Sequence, residues 1–328
     1  MNLDQIFNEF NNQEILVVGD VMIDAYLWGT VNRISPEAPV PVVSVTKKES
    51  RLGGAANVGL NIIALGAKPI LCGIIGNDDS GKNFCSLLQK RNMTDSGMIV
   101  LGNRPTTVKT RILGSNQQML RVDEEITDFI SIEAETKIIS KIEHLVNNGS
   151  IKAIILEDYN KGMLTEKVIS SVIEIANKNN IPVSVDPKKE NFFAYKNTTL
   201  FKPNLKELKE GLKEELNEVN QNNLDVLVNK LESSLSNEIS LITLSEYGVY
   251  VKEKGVSEII PAHKRKIVDV SGAGDSVISV ASLCLALGLN AKLTAELSNL
   301  AGGLVCEKVG VVPIDKNQLL EEARKTIK

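Results

Sequence analysis

Histidine and tryptophan are nearly missing from this chain, with two of the first and one of the second in 328 residues. With only His144 and His263 to draw on, a histidine-built zinc centre or a Ser-His-Asp triad lacks its ligands and its base. The four cysteines, Cys72, Cys85, Cys284 and Cys306, lie far apart with no CxxC pair, so they read as reduced, buried thiols rather than a thiolate metal site. No Walker A sequence, GxSxG elbow or HExxH helix occurs. The first strand-like run is followed by Gly19-Asp20-Val21-Met22 and not by GxGxxG, which argues against a dinucleotide-dependent oxidoreductase. The longest nearly apolar run, 277–289, falls short of the roughly 20 residues that span a bilayer, and the N-terminus has no basic and apolar signal region. A cytoplasmic protein with no membrane partner is expected. A net charge of -4 and a pI near 5.5 leave no basic field for nucleic acid, so an anionic substrate must be met by locally placed cations.

What is present is an ordinary globular composition, 43% hydrophobic and 24% charged. Continuous apolar runs at 15–18, 70–75, 151–156, 183–185, 200–201 and 239–244 have the character of parallel strands buried on both faces. Between several of them, 57–65, 80–89, 132–146, 165–177 and 205–212 repeat apolar residues at helical spacing. The alternation predicts a layered α/β fold with helices on both faces of the sheet. Ligands in such folds bind beyond the carboxyl ends of the strands, where Asp20, Glu157, Asp158 and Asp186 fall. Two segments break the pattern. Residues 31–45 carry Pro36, Pro39 and Pro41 among valines, and 106–122 alternate in a β manner around a Gly-Ser-Asn turn signal at 114–116. Together they predict a small β lid, with excursions at about 25–52 and 98–124, on a single domain spanning 1–328. Surface hairpins with no gating role fit the same pattern.

The most unusual stretch is Asp269-Val270-Ser271-Gly272-Ala273-Gly274-Asp275, which leads into a long apolar helix. A glycine turn at a helix start aims free N–H groups and the positive end of the helix dipole at an anion. A carboxylate there would repel phosphate unless it serves as a base; on these residues alone Asp269 or Asp275 could equally be a helix cap. Gly53-Gly54-Ala55-Ala56-Asn57 similarly opens a helix, either as a tight turn or as a close approach to a ligand that Asn57 could bond. Asp24 could accept hydroxyl hydrogens from a sugar. Arg33, Arg51, Lys109, Arg111 and Arg121 supply cations on the lid segments. Asn204 and Glu207 form a capping box or flank a hydrated Mg²⁺. Thr243, Ser245 and Gly248 follow another strand, as a hairpin turn or as a nucleotide contact.

These motifs, in order and spacing, resemble the ribokinase-like (PfkB) carbohydrate kinases over nearly the whole chain. Arg33-Ile34-Ser35-Pro36-Glu37-Ala38-Pro39-Val40-Pro41-Val42, Gln117-Gln118-Met119-Leu120-Arg121 and Asp186-Pro187-Lys188 are similar to the kinase module of the bacterial D-glycero-β-D-manno-heptose 7-phosphate kinases of ADP-heptose and lipopolysaccharide synthesis. The resemblance implies Asp275 as catalytic base, with Gly272, Ala273 and Gly274 forming the anion hole. It implies ATP at Asn204, Glu207, Thr243, Ser245, Gly248, Ser271 and Asn299, and Mg²⁺ at Glu207. A sugar phosphate would be held by Asp24, Arg33, Gly53, Gly54, Asn57, Lys109, Arg111, Arg121 and Asp186. Val270 stands where many relatives have Thr. No HxGH-type motif occurs, so no nucleotidyltransferase domain is expected and adenylyl transfer would fall to another protein. A homodimer joined through the lids is also implied. A kinase for another sugar, or a non-catalytic nucleotide- or sugar-sensing module, would share the fold.

Overall fold

The computed structural model describes residues 1–115 and 117–327. Thirteen strands are found among them: β1 (Glu14–Gly19), β2 (Val21–Ile34), β3 (Pro41–Gly54), β4 (Lys68–Gly76), β5 (Met98–Leu101), β6 (Val108–Gly114), β7 (Gln117–Glu124), β8 (Ile151–Glu157), β9 (Val183–Asp186), β10 (Leu200–Phe201), β11 (Ile239–Thr243), β12 (Val249–Glu253) and β13 (Val256–Ile260). Nine form one sheet in the order β13-β12-β11-β10-β9-β8-β1-β4-β5. Its strands run parallel from β5 to β11, and β12 and β13 close the far edge in antiparallel fashion.

The continuous apolar runs become central strands because both of their faces are covered. Along β1, Ile15 and Val17 face one hydrophobic core while Leu16 and Val18 face the other. The first core is roofed by the helices Leu3–Glu9, Ala55–Ala64, Asp79–Lys90, Ala273–Ala286, Ala291–Val305 and Lys316–Thr326. The second lies under Ile132–Asn148, Glu166–Lys178, Leu205–Leu212 and Gln221–Leu235. The last of these is capped at its start by the Asn220 side chain, which accepts from Asn223 N–H. The expected layered α/β architecture is what forms, and Cys72, Cys284 and Cys306 are buried free thiols while Cys85 is half-buried.

The lid is a separate four-stranded sheet in the order β3-β2-β6-β7. Proline explains its layout: Pro36 and Pro39 fall in the connection between β2 and β3, and Pro41 starts β3, an edge strand where a missing N–H is tolerated. The lid differs from expectation at its margins. Residues 98–101 are not part of it; their run Met-Ile-Val-Leu pairs in parallel with β4 at the edge of the main sheet, so the second excursion starts at β6. The first excursion begins earlier than 25, because β2 leaves the main sheet at Val21. The Gly-Ser-Asn turn signal includes Asn116, which lies outside the described residues.

β2 and β3 return the chain to the main body at Gly53-Gly54, where Gly54 takes φ 60° and ψ -139° and caps the helix Ala55–Ala64. Only glycine occupies that region at little cost, and a methyl group there would also run into the Asp20 carbonyl oxygen. Gly54→Ala should therefore destabilise the fold by about 1–3 kcal/mol or more, read as a lower urea midpoint with an unchanged m-value; an unaltered midpoint would show that the turn relaxes freely.

Candidate active site

Asp20 directly follows β1 and is buried. Its carboxylate accepts the backbone N–H groups of Tyr159 (2.9 Å), Lys161 (3.0 Å) and Met163 (3.4 Å), so it folds the loop after β8 over the end of the sheet. Its main chain works in the other direction. The Asp20 N–H donates to the Glu157 carbonyl at 3.2 Å and its carbonyl accepts from Ala55 N–H at 3.0 Å. Burial first, and then the nearby Asp158 carboxylate, push Asp20 up to about 6, against the three N–H groups that pull it down.

The glycine loop enters the helix Ala273–Ala286 at Gly272, whose φ of 80° is left-handed and whose position has no side-chain cap. Asp275 is therefore not a cap. It sits in the first turn, buried, with Asn57 Nδ2 donating to Oδ2 and the Tyr159 hydroxyl donating to Oδ1 at 3.1 Å. Asp269 is not a helix cap either: its oxygens accept Ser271 N–H and Gly310 N–H at 2.9 Å each, which shapes the loop. Of the expected anion-hole donors, Ala273 N–H bonds the Val270 carbonyl at 3.3 Å. That removes Ala273, and among the described residues Gly272, Gly274 and Asp275 keep N–H groups without an acceptor. The helix is locked against Ala55–Ala64 by Asn61, whose Oδ1 accepts the Ser276 hydroxyl and the Ile314 N–H, both at 3.0 Å.

Around Asp275 the strand ends bring in charge of both signs. Glu157, Asp186 and Asp275 each offer a carboxylate oxygen within 4.8 Å of the others. Lys202 pairs with Asp186 at 2.8 Å, and Lys188 bonds Glu207 at 2.6 Å while standing 3.8 Å from Asp186. Burial, followed by Asp186 and Asp275, raises Glu157 well above the usual carboxylate range. Burial likewise raises Asp275, with the Asn57 hydrogen bond opposing it. Burial lowers the Lys188 ammonium, but Asp186 and Glu207 outweigh it and the net direction is up. One oxygen of Glu157 is buried without a partner, a hard donor in an all-oxygen set, which suits Mg²⁺ and not a soft metal. Glu207 stands apart from that group; its carboxylate is shared between Lys188 and Asn204 N–H, closing the capping box of the helix Leu205–Leu212.

A cavity of about 510 Å³ opens on the other side of the glycine loop, lined by Thr243, Ser245, Gly248, Ala273, Gly274 and Asn299. Four residues assigned to the nucleotide from sequence thus share one wall-to-wall space with the helix start. Asn299 Nδ2 donates to the Pro261 carbonyl at 3.0 Å and so holds the rim. Asn204 lies beside Thr243 through an isolated bridge but does not line the cavity. Ser271 is exposed and likewise outside it.

A model described as "pfkB family carbohydrate kinase" matches residues 12–317. The chain belongs to that family. Over 307 residues it is 41% identical to a protein named "Bifunctional protein HldE" from Aliarcobacter butzleri (strain RM4018), covering 94% of this chain and 63% of that relative's length. Among solved structures, the tetrameric inhibited form of phosphofructokinase-2 from Escherichia coli superposes with a TM-score of 0.77 at 16% identity, covering 95% of this chain and 99% of that one. Arabidopsis thaliana ribokinase complexed with ribose and ATP gives 0.72 at 16% identity, with 94% and 99% covered. The fold is therefore ribokinase-like, and the chain is a pfkB-type, ATP-dependent sugar kinase.

In this pfkB kinase the lid residues divide into two groups. Asp24 is buried and accepts from Arg111 at 2.5 Å, with Gly53 directly beneath its carboxylate. Arg111 and Arg51 lie over the Tyr26 ring at 5.4 and 4.9 Å. Lys109 is bound to Asp123 (3.0 Å) and Glu125 (2.8 Å), Arg121 pairs with Asp123 at 2.9 Å, and Arg33 stands exposed near the far end of β2. Asp186, expected at the sugar, pairs with Lys202, and Asn57 bonds Asp275. Tyr159, Lys188 and Lys202 carried no assignment from sequence, although Lys188 lies in the quoted Asp186-Pro187-Lys188 run and Tyr159 is two residues beyond Glu157.

Because Asp20 is raised from 3.8 to about 6, the folded state holds its proton more tightly than the unfolded chain does. The stability it contributes is fully present below about pH 4 and is lost as pH rises through about 6. The difference in unfolding free energy between the native chain and Asp20→Asn should accordingly shrink by about 2 kcal/mol between pH 4 and pH 7; urea titrations at the two pH values showing a constant difference would contradict the assignment.

Proposed function

We propose that this protein transfers the γ-phosphate of ATP to the anomeric hydroxyl of D-glycero-β-D-manno-heptose 7-phosphate. The observation that carries the chemistry is the placement of Asp275: a buried carboxylate in the first turn of a helix whose start, at Ala273 and Gly274, lines a cavity of about 510 Å³. The substrate reading is supported by the 33–42, 117–121 and 186–188 segments and by the 41% identity to the Aliarcobacter butzleri relative, of which the chain spans 63%.

In this reading the nucleotide occupies the cavity beside Thr243, Ser245, Gly248 and Asn299, with its terminal phosphate against Gly272, Gly274 and Asp275 N–H. Asp275 takes the proton of the anomeric hydroxyl as that oxygen bonds the γ-phosphorus. The bond from phosphorus to the β-phosphate oxygen breaks, ADP leaves with the electron pair, and Asp275 holds the proton. Mg²⁺, when bound, would offset charge on the phosphate oxygens; Glu157, through its unpartnered oxygen, and the neighbouring Asp186 carboxylate are the residues that would hold it. Lys188 and Lys202 keep the carboxylates from repelling the phosphates, and the N–H groups receive the developing charge without reorganising. Asp24, Gly53, Gly54, Arg111 and the other lid cations would hold the sugar phosphate.

The lid also leaves Leu120, Val40 and Val122 exposed on its surface, which supports a homodimer joined through it. Sedimentation at micromolar concentration should give a dimer, and Leu120→Lys should shift it toward monomer.

Asp275→Asn should lower kcat by about 10²- to 10⁴-fold with ATP affinity little changed. The assay is coupled ADP release over a panel of sugar phosphates that includes the heptose 7-phosphate. An unchanged kcat would sink the role of Asp275; faster turnover of another panel member would replace the substrate while leaving the mechanism in place.

A further inference from the structure

The Asp275 carboxylate has two oxygens, and two different elements have each taken one: Asn57, from the helix Ala55–Ala64, holds Oδ2, and the Tyr159 hydroxyl, from the loop after β8, holds Oδ1 at 3.1 Å. We propose that Tyr159 is a positioning residue for Asp275, its phenol fixing the carboxylate so that the remaining lone pairs meet the acceptor hydroxyl. The inference rests on Asp275 being the base.

Packing does not account for Tyr159. Its ring belongs to neither hydrophobic core and lies instead among charged groups, with the Lys188 ammonium 5.8 Å from its centroid. Its backbone is fixed by the Asp20 carboxylate at 2.9 Å, so the phenol is aimed from a buried anchor. A carboxylate oxygen has room for two acceptor contacts, so each Asp275 oxygen retains a lone pair after its donor is counted. With donors on both oxygens, rotation about the side-chain torsions is stopped from two directions. A base held in this way meets the hydroxyl without first paying for its own orientation.

The test is a double-mutant cycle with Tyr159→Phe and Asp275→Asn, assayed with ATP and heptose 7-phosphate, or with whichever panel sugar phosphate the native protein turns over fastest. Tyr159→Phe should lower kcat by about 10- to 100-fold, the usual effect of removing a hydrogen bond to a charged group. The KM for ATP and the melting temperature should stay near native values, which a merely structural loss would not permit. In the Asp275→Asn background the same substitution should cost less than about 2-fold, since its effect passes through the carboxylate. Native kcat in Tyr159→Phe, or an equal loss in both backgrounds, overturns the proposal. Native kcat in Asp275→Asn alone would overturn the base itself, and the two failures are told apart by the single variants.

Discussion

A buried carboxylate that must find its donors in the backbone organises this molecule. Asp20 directly follows the first central strand and, among the described residues, forms no ion pair with an arginine or lysine, and an unpaired buried charge costs several kcal/mol. Three N–H groups from one loop, at 2.9, 3.0 and 3.4 Å, satisfy it. The same residue binds the end of β8 through its N–H and the start of the helix Ala55–Ala64 through its carbonyl. One position therefore fixes both the loop that carries Tyr159 and the helix that carries Asn57. These are the two donors to Asp275, although Asp20 itself neither bonds that carboxylate nor lines the cavity.

The electrostatics follow from the strand ends. Parallel strands deliver their terminal side chains to one place, and here they deliver Glu157 and Asp186 beside Asp275. Three carboxylates so close would not all stay ionised alone, which is why burial and mutual repulsion drive Glu157 and Asp275 upward. For the general base we propose at Asp275 this is useful, because a carboxylate of ordinary acidity is too weak to draw a proton from an alcohol. Lys202, almost wholly buried against Asp186, and Lys188, bridging to Glu207, keep the excess negative charge from becoming prohibitive. The Lys188 bridge also ties the capping box of the helix Leu205–Leu212 to the transfer centre, so the two motifs separated by about seventy residues are joined by one ammonium.

The layered architecture was legible because β1, β8 and β9 are apolar on both faces, a pattern that only a sheet covered on both sides produces. The glycine turns were legible for a different reason: Gly54 and Gly272 adopt left-handed φ values that other residues resist. Contacts between distant segments were not. Nothing in Asn57 says that its amide meets residue 275 and not a sugar, since an amide bonds either. Tyr159 gave no signal because its role depends on Asp20, 139 positions away. The edges of the lid were misjudged where an apolar four-residue run, 98–101, fits a parallel edge strand as well as a hairpin. Capping and metal binding use the same Asn-x-x-Glu spacing, and the geometry of Asn204 and Glu207 satisfies the cap outright.

In the proposed reading, chemistry and recognition occupy parts of the molecule with different physical character. Asp275, Asn57 and Asp186 are buried and held by elements that form the two cores, so displacing any of them disturbs packing that stabilises the whole domain. The lid is thin, with β7 exposed along most of its length, and its cations are already engaged: Lys109 with Asp123 and Glu125, Arg111 with Asp24, Arg121 with Asp123. A cation held by a carboxylate is given up only to an anion that replaces the pair at least as well, which penalises weakly charged competitors. The lid can therefore change its charges through substitution without touching the sheet, while the glycine loop and its base cannot. A fold divided in this way keeps one reaction and varies what it is performed upon.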